Sequence, residues 1–304
     1  MKNYPDLMRR RLLTVLALFP LSLPQFSLAA GAACSSDTHF DVNRIVALEW
    51  LPIELLLTLG IIPFGVTEIA NYHRWVQQPK LPVSVLDVGS RTEPNMELIQ
   101  YINPSLILHT TGFGPPVTKM KSIAPIMGFT FNDGSGKPLK LAKQSLYRLA
   151  THLGVEDRAM VHLEQYKQRI NQSKQRIQVW RDTPLLLFTL LDSNHVLVFG
   201  RGSLFQEVMN DLDLENAWIG HTNFWGSATI GIEQLAIVPK AQAIFFSHGN
   251  DTLFTQVQKT ALWQALPFVR QGKVFIQPGV WFYGATLSAM RFCDLLESAA
   301  GVQA

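Results

Sequence analysis

Three aromatic residues stand in a row near the end of the chain, Trp281-Phe282-Tyr283, between the Gly-rich approach Gln277-Pro278-Gly279 and a helical pattern that begins near Thr286. In a buried strand such rings would point alternately to opposite faces, whereas at a strand end they can surround one mouth. A second cluster, Thr222-Asn223-Phe224-Trp225-Gly226-Ser227, has the same character. Trp50, Trp75 and Phe113 also stand in segments that leave apolar runs, the last within Thr111-Gly112-Phe113-Gly114-Pro115. Taken singly each ring is as readily core as ligand contact, but rings at strand ends beside Gly and Pro make poor core and good platforms. Arg91, in Asp87-Val88-Gly89-Ser90-Arg91, is placed at the same rim. Its fixed fork of donors suits oxygen pairs on a ligand, the competing reading being a surface ion pair with Glu93. Asn223 and Ser227 would add neutral hydrogen bonds. The chemistry expected is the binding of a bulky, partly apolar ligand that carries oxygen atoms.

Catalytic patterns are thin. The chain has no His-Glu-x-x-His, no Gly-x-Ser-x-Gly and no phosphate-cradling Gly-Lys-Ser/Thr loop. His109, His195, His221 and His248 are scattered. His109 and His248 end apolar runs, so an exported His-dependent hydrolase or metalloenzyme is the alternative of a different class, although no carboxylate lies at ligand-like spacing to either.

The elements that must position these residues alternate short β-like runs with helical ones. Residues 45–48 read as a strand, 53–59 as a helix stopped by Gly60, 83–88 as a strand, 96–102 as a helix ended by Asn103-Pro104, and 105–109 as a strand. Such a lobe binds outside the carboxyl ends of its strands. Helical spacing of Ala142, Leu146, Leu149 and Ala150 leads to Gly154, and 155–179 is a charged, Gln-rich helix without Gly or Pro that is placed to span between lobes. Alternation then resumes, with strands at 185–190 and 195–199 around the turn Asp192-Ser193-Asn194, a helix from Ser203, and buried strands at 243–246 and 273–276. The expected organisation is an N-terminal α/β lobe over 43–150, an interlobe helix over 151–180 and a C-terminal α/β lobe over 181–304, with the ligand in the cleft between lobes.

Residues 1–33 read as an export signal. Arg9-Arg10-Arg11 precede an apolar run broken by Pro20 and Pro24 and closed by Ala29-Ala30-Gly31-Ala32-Ala33. The arginines allow a twin-arginine route, and the prolines argue against an uncleaved anchor. Cys34 follows directly. Lipid attachment there is the lesser alternative, because no Leu stands three residues before it. With Cys293 in a helical pattern, spacing gives no argument for a disulfide, and free thiols are expected. The chain carries 26 Lys+Arg and 23 Asp+Glu, of which the signal holds Lys2, Arg9, Arg10, Arg11 and Asp6, so the remainder is formally neutral. That balance argues against a nucleic-acid partner and against a strongly electrostatic hold on acidic substrates.

Several of these segments resemble one family. Ala47-Leu48-Glu49-Trp50, Asp87-Val88-Gly89 with Arg91-Thr92-Glu93-Pro94-Asn95, Phe199-Gly200, residues 222–227, residues 262–270 and the run 280–290 are similar to the periplasmic ferric hydroxamate (ferrichrome) binding proteins of Gram-negative bacteria. The resemblance covers essentially all of the chain after the signal. It implies two Rossmann-like α/β lobes joined by a single long helix, the class III periplasmic binding protein fold, in a monomeric carrier without cofactor that feeds an iron(III)-hydroxamate siderophore to an inner-membrane ABC permease. The hydroxamates fill the iron shell, so the protein contributes no ligand to the metal. By resemblance Arg91 hydrogen-bonds hydroxamate oxygens, and Trp50, Trp75, Trp218, Trp225, Trp281, Phe282 and Tyr283 match aromatic positions in or near the pocket. Asn223 and Ser227 fall in the matching loop. Two positions depart. Phe113 stands where the family has a tyrosine whose hydroxyl reaches the ligand, and of the two acidic residues thought to meet the permease, Glu233 fits the C-lobe position while Thr118 stands at the other. Another iron chelate or a corrinoid is the nearer alternative ligand. A catecholate complex would want several basic residues at the rim, where only Arg91 and Arg74 are in view.

Overall fold

Both faces of each central strand are apolar, and the strands accordingly stack into two sheets with cover on either side. The computed structural model describes residues 40–301, so the expected export signal and Cys34 lie outside the described residues. The first lobe contains β1 (Ile45–Ala47), α1 (Trp50–Thr58), β2 (Gly65–Val66), α2 (Ile69–Trp75), β3 (Leu86–Asp87), α3 (Met96–Ile102), β4 (Leu106–Thr110), α4 (Val117–Lys121) and β5 (Ile126–Phe129). Its sheet has the order β3-β2-β1-β4-β5 and is parallel throughout. Two helices follow, α5 (Pro138–Leu153) and α6 (Glu156–Arg176). The second lobe contains β6 (Leu185–Leu190), β7 (His195–Phe199), α7 (Leu204–Asp211), β8 (Ser227–Gly231), β9 (Gln242–Ser247), α8 (Asp251–Gln258), α9 (Ala261–Ala265), α10 (Pro267–Arg270), β10 (Val274–Pro278) and α11 (Thr286–Ala299). Its order is β10-β9-β6-β7-β8, parallel except for the antiparallel pairs that β7 makes with β6 and β8.

Most expected elements are present, and the differences have local reasons. The strand expected over 83–88 shrinks to β3, because Val83 is fully exposed and only Leu86 and Asp87 reach the ladder of β2. The expected lobe boundary at 150/151 falls inside α5, which runs on to a left-handed stop at Gly154. The long polar helix is α6, and its charge is partly used up against α11. Arg169 bridges Asp294 and the buried Glu297, at 2.5 and 2.6 Å, and Arg176 adds a contact to Glu297 at 3.2 Å.

One apolar cluster belongs to both lobes. Strand residues alternate between faces, so Ile45, Ala47, Leu106 and Leu108 join Leu185, Leu187, Ile244 and Phe246 in a single core, while Val46 and Ile107 or Leu186 and Phe245 face separate outer layers. Trp50, Tyr72, Phe199, Phe205, Trp281, Phe282 and Phe292 fill the same core from the intervening elements.

Polar contacts tie the lobes beside that core. Helix α11 has no side chain of its own to cap its first turn. The cap comes from α1: the Glu54 carboxylate accepts the Ser288 backbone N–H at 2.8 Å and the Ser288 hydroxyl at 2.7 Å. A carboxylate suits the positive end of a helix, and the donors there offset its loss of water. A Cβ at position 284 would lie 2.1 Å from Ser288 Oγ and 2.3 Å from Glu54 Oε2, so only Gly284 leaves room. His162 of α6 reaches the same turn, its Nε2 2.8 Å from Thr286 Oγ1. At the other side Arg74 donates to the His248 carbonyl at 2.9 Å and Gln77 to the Ser247 carbonyl at 3.1 Å. His248 itself stacks on Trp75, and its Nδ1 donates to the Trp75 carbonyl at 3.2 Å.

Two pH-linked predictions follow from these buried groups. Burial pushes the Glu54 carboxyl above its ordinary value of 4.5, against the pull of the Ser288 hydrogen bonds. The folded chain then keeps a proton that the unfolded chain releases, so the contribution of Glu54 is complete below pH 4.5 and declines as pH rises towards the raised value. Glu54→Ala is expected to cost about 2–4 kcal/mol in urea unfolding at about pH 5, and less at about pH 8. His248 behaves with opposite sign. Burial, with Arg74 and Arg291 adding to it, pushes its imidazole from 6.5 down to about 4 despite the Trp75 hydrogen bond. Stability present above pH 6.5 is lost as pH falls towards 4, by about 3 kcal/mol, and His248→Phe should remove that part of the wild-type pH profile.

Candidate ligand-binding cleft

The carboxyl ends of β1, β4 and β5 open towards a cavity of about 280 Å³, whose wall includes Glu49, Arg91, Phe113, Phe131, Trp225, Trp281 and Tyr283. Glu49 leaves β1 as the N-cap of α1. One carboxylate oxygen accepts the Leu51 N–H at 2.8 Å and the Thr110 hydroxyl at 3.3 Å. The other accepts from Arg91 Nη1 at 2.8 Å. Glu68, at the start of α2, holds the same guanidinium from a second side: its carboxylate takes Arg91 Nε at 3.3 Å and the Arg91 backbone N–H at 3.0 Å. Partial burial works against the charge of Glu68, but the Arg91 backbone bond, the Asn71 amide and the Arg91 charge outweigh it and keep its carboxyl below the usual range. The Arg91 carbon Cζ lies 3.7 Å from the centre of the Trp50 ring, and 5.7 Å from each of the Phe113 and Trp281 rings. Thus the guanidinium is set by two carboxylates and an aromatic face, and among the described residues its Nη2 has no hydrogen-bond partner.

The second lobe supplies the opposite wall. Trp225 stacks on Phe131 at 5.8 Å, and Tyr283 meets Phe131 edge-on at 5.3 Å and Trp225 at 5.4 Å. The loop carrying Trp225 is held by Asn223, whose Oδ1 accepts the Trp225 N–H at 2.9 Å and the Ser227 N–H at 3.2 Å. Gly226 closes it with φ 75°, and a Cβ there would lie 2.1 Å from the Ser203 nitrogen, where the loop crosses the start of α7.

The sequence-selected residues therefore divide. Arg91, Phe113, Trp225, Trp281 and Tyr283 share the cavity wall. Trp50 is buried beneath Arg91 and backs it rather than lining the cavity. The three consecutive rings do not all face one mouth: the chain turns at Phe282 and Tyr283, and Phe282 points inward, against Phe199 at 4.9 Å and the Trp75–His248 stack. Trp75 accordingly sits in the interlobe contact and not on the cavity wall. Asn223 and Ser227 are not on the cavity wall either. Asn223 spends its acceptor on its own loop, and Ser227, fully buried, shares its hydroxyl with Asn223 and with the Tyr283 hydroxyl at 3.4 Å. Trp218 lies elsewhere, in the core of the second lobe and beside a separate groove with Arg201, Asn216 and His221, because Gly200 and Gly220 leave its ring a slot there. Glu93 is not the partner of Arg91; Glu49 and Glu68 are, and neither was singled out as a site residue in the sequence. Their signal was position alone, one directly after β1 and the other just after β2.

His109 and His248 do not reach the cavity wall. The His109 ring lies over Gly128, with Nδ1 3.2 Å from the Thr110 carbonyl, and burial lowers its pKa. Among the described residues no three His, Cys, Asp or Glu are grouped to hold a metal ion. Cys293 is a buried free thiol. Thr118, on α4 between Val117 and Lys119, and Glu233, after β8, are both exposed, one on each lobe.

Comparison with known proteins adds lineage to this geometry. Residues 45–280 match the family described as Periplasmic binding protein. The iron(3+)-hydroxamate-binding protein FhuD of Escherichia coli is 48% identical over 304 residues, 100% of each chain. The crystal structure of Fe3+-Desferal-bound FhuD from Vibrio cholerae superposes with a TM-score of 0.79 at 29% identity, covering 86% of this chain and 97% of that one. The triscatecholate siderophore-binding protein FeuA of Bacillus subtilis shares the fold, with a TM-score of 0.68 at 18% identity over 85% of this chain and 92% of its own. With two α/β lobes, a cleft at the carboxyl ends of the strands and a family match over residues 45–280, the chain belongs to the periplasmic binding protein family.

Proposed function

We propose that this protein is a periplasmic solute-binding protein that holds an iron(III)-hydroxamate siderophore of the ferrichrome type in the interlobe cleft and delivers it to an inner-membrane ABC permease. It is a carrier and not an enzyme. The observation that carries the reading is the cavity itself: an aromatic wall of Trp225, Trp281, Tyr283, Phe113 and Phe131 around one fixed guanidinium, in a chain 48% identical to an iron-hydroxamate-binding protein. Such a wall suits the organic shell of a chelate, while Arg91 offers donors to hydroxamate oxygens that already hold the iron. The protein then needs no cofactor and no ligand of its own to the metal. Residues 1–33 serve as the export signal, and the mature protein works as a monomer whose exposed Glu233 and Thr118 face the permease, Thr118 without the charge of an acidic residue.

Titration of tryptophan fluorescence with ferrichrome tests this reading. Saturable quenching at micromolar ligand is expected, since Trp225 and Trp281 line the cavity; its absence would remove the assignment. Arg91→Ala is expected to weaken ferrichrome binding by about 10- to 100-fold, the loss of charge-assisted hydrogen bonds. Phe113→Tyr should act in the opposite direction. A hydroxyl at this rim would add one hydrogen bond and tighten binding by about 2- to 10-fold, and calorimetric titration of the two proteins side by side measures it.

A further inference from the structure

Among the described residues the loop that carries Trp225 makes its hydrogen bonds within the second lobe, with one exception. The Asn223 N–H reaches the Ser227 carbonyl at 2.7 Å, the Gly200 N–H reaches the Gly226 carbonyl at 3.0 Å, and the Thr222 hydroxyl donates to the Arg201 carbonyl at 2.8 Å. The exception is Asn132, on the segment between β5 and α5, whose Nδ2 donates to the Phe224 carbonyl. Its other amide atom is engaged as well, for Oδ1 accepts the Gly134 N–H at 2.9 Å and closes a turn directly after Phe131. With donor and acceptor both used, this buried amide is held in one orientation.

Three features give that single bond its weight. Phe224 and Trp225 are 54% and 36% exposed, so their own packing is incomplete. Phe131, the residue before Asn132, is the ring on which Trp225 stacks, and bond and stack therefore meet the loop from the same stretch of chain. That stretch is itself anchored further on. Helix α5 has no side-chain cap of its own, and Glu207 of α7 accepts the Leu139 N–H at 2.5 Å. Between the two ties the backbones run close together, and a Cβ at position 136 would lie 3.4 Å from the Gly202 Cα. Asn132 thus acts from a fixed segment. Because it grips a backbone carbonyl, it sets the place of the loop whatever side chains the loop carries.

From this arrangement, and resting on the reading of the cleft given above, we infer that Asn132 is a positioning residue for ligand binding: it stands outside the cavity wall and, through the Phe224 carbonyl, holds Trp225 where the wall needs it. Without that donor the loop is tied only to its own lobe. A ligand then has to order the Trp225 ring as it binds, which lowers affinity by about 3- to 10-fold.

Asn132→Ser isolates the donor. A serine hydroxyl can still accept the Gly134 N–H across the turn, as Ser does in such turns, but it is too short to reach the Phe224 carbonyl. The chain holds seven tryptophans, and fluorine NMR of protein labelled with 5-fluorotryptophan reports on each, the Trp225 resonance being assigned by its absence in Trp225→Phe. In ligand-free Asn132→Ser the Trp225 resonance is expected to move towards the solvent-exposed position while the other six hold theirs, and calorimetric titration is expected to show ferrichrome binding weakened by about 3- to 10-fold. A Trp225 resonance that stays at its wild-type position would overturn the inference. Shifts spread over all the tryptophans would overturn it as well, since they would make Asn132 a support of the whole fold and not of this loop. A released Trp225 with unchanged affinity would show that the placement of the loop does not serve binding, and the inference would fall while the carrier reading stood. Absence of ferrichrome binding in the wild-type protein would instead sink the carrier reading and the role in binding with it, and the Trp225 resonance would still decide whether Asn132 places the loop. Should Asn132→Ser not fold, Asn132→Ala removes the donor and is read by the same resonance, with the same outcomes.

Discussion

The carboxylate of Glu54, removed from water and set against the first turn of α11, is the point at which the two lobes become one body. Its partners are a backbone N–H and a hydroxyl on the far side of the interface, and no cation stands with it among the described ion pairs. An arrangement of this kind is stable only while the helix end stays in place, because withdrawal would leave both the carboxylate and the first turn of α11 buried and unsatisfied. The segment just before that turn carries Trp281 and Tyr283. A residue of the first lobe thereby fixes the aromatic wall contributed by the second, and Gly284 is the small residue that lets the contact close.

The cleft repeats this logic on its polar side. Arg91 is a long side chain with much rotational freedom to lose, and two carboxylates, its own backbone and the face of Trp50 remove that freedom before any ligand arrives. Trp50 is in turn held by the shared core and by Trp281, whose ring centre is 4.6 Å away. Donor, platform and wall are each set by groups outside the cavity. A site assembled in this way is preorganised, and its affinity is not reduced by the cost of ordering loose parts.

Much of the architecture was legible in the sequence, because strands buried on both faces give unbroken apolar runs and helices give periodic ones. Strand β4, helices α3 and α6 and the β6–β7 hairpin stand close to where the residues place them. Strands β2, β5 and β8 were not legible. The first has two residues, the second is only half-buried over Ile126–Gly128, and the third begins at Ser227 inside what reads as a loop. Within the site the wall residues were readable by type, since large rings beside Gly stand out. The partners of Arg91 were not, for Glu49 lies 42 residues before it and Glu68 lies 23 before it, and only the adjacency of β1, β2 and β3 brings them together. Trp75, Trp218 and Phe282 illustrate the converse. Their neighbours in sequence match those of the wall residues, yet packing assigns them to the interior, which local sequence does not encode.

The core that runs through both lobes has a further consequence, one of information rather than stability. Lobes that share Trp50, Phe199, Phe205 and Phe292 in one packed cluster cannot swing apart without wetting it, and that cost favours a cleft that fills with little change of outline. A partner that reads only overall shape would find the two states alike. For the carrier proposed above, a loaded form would then be marked locally, at the cavity wall, where Phe113 and Trp225 are both partly exposed.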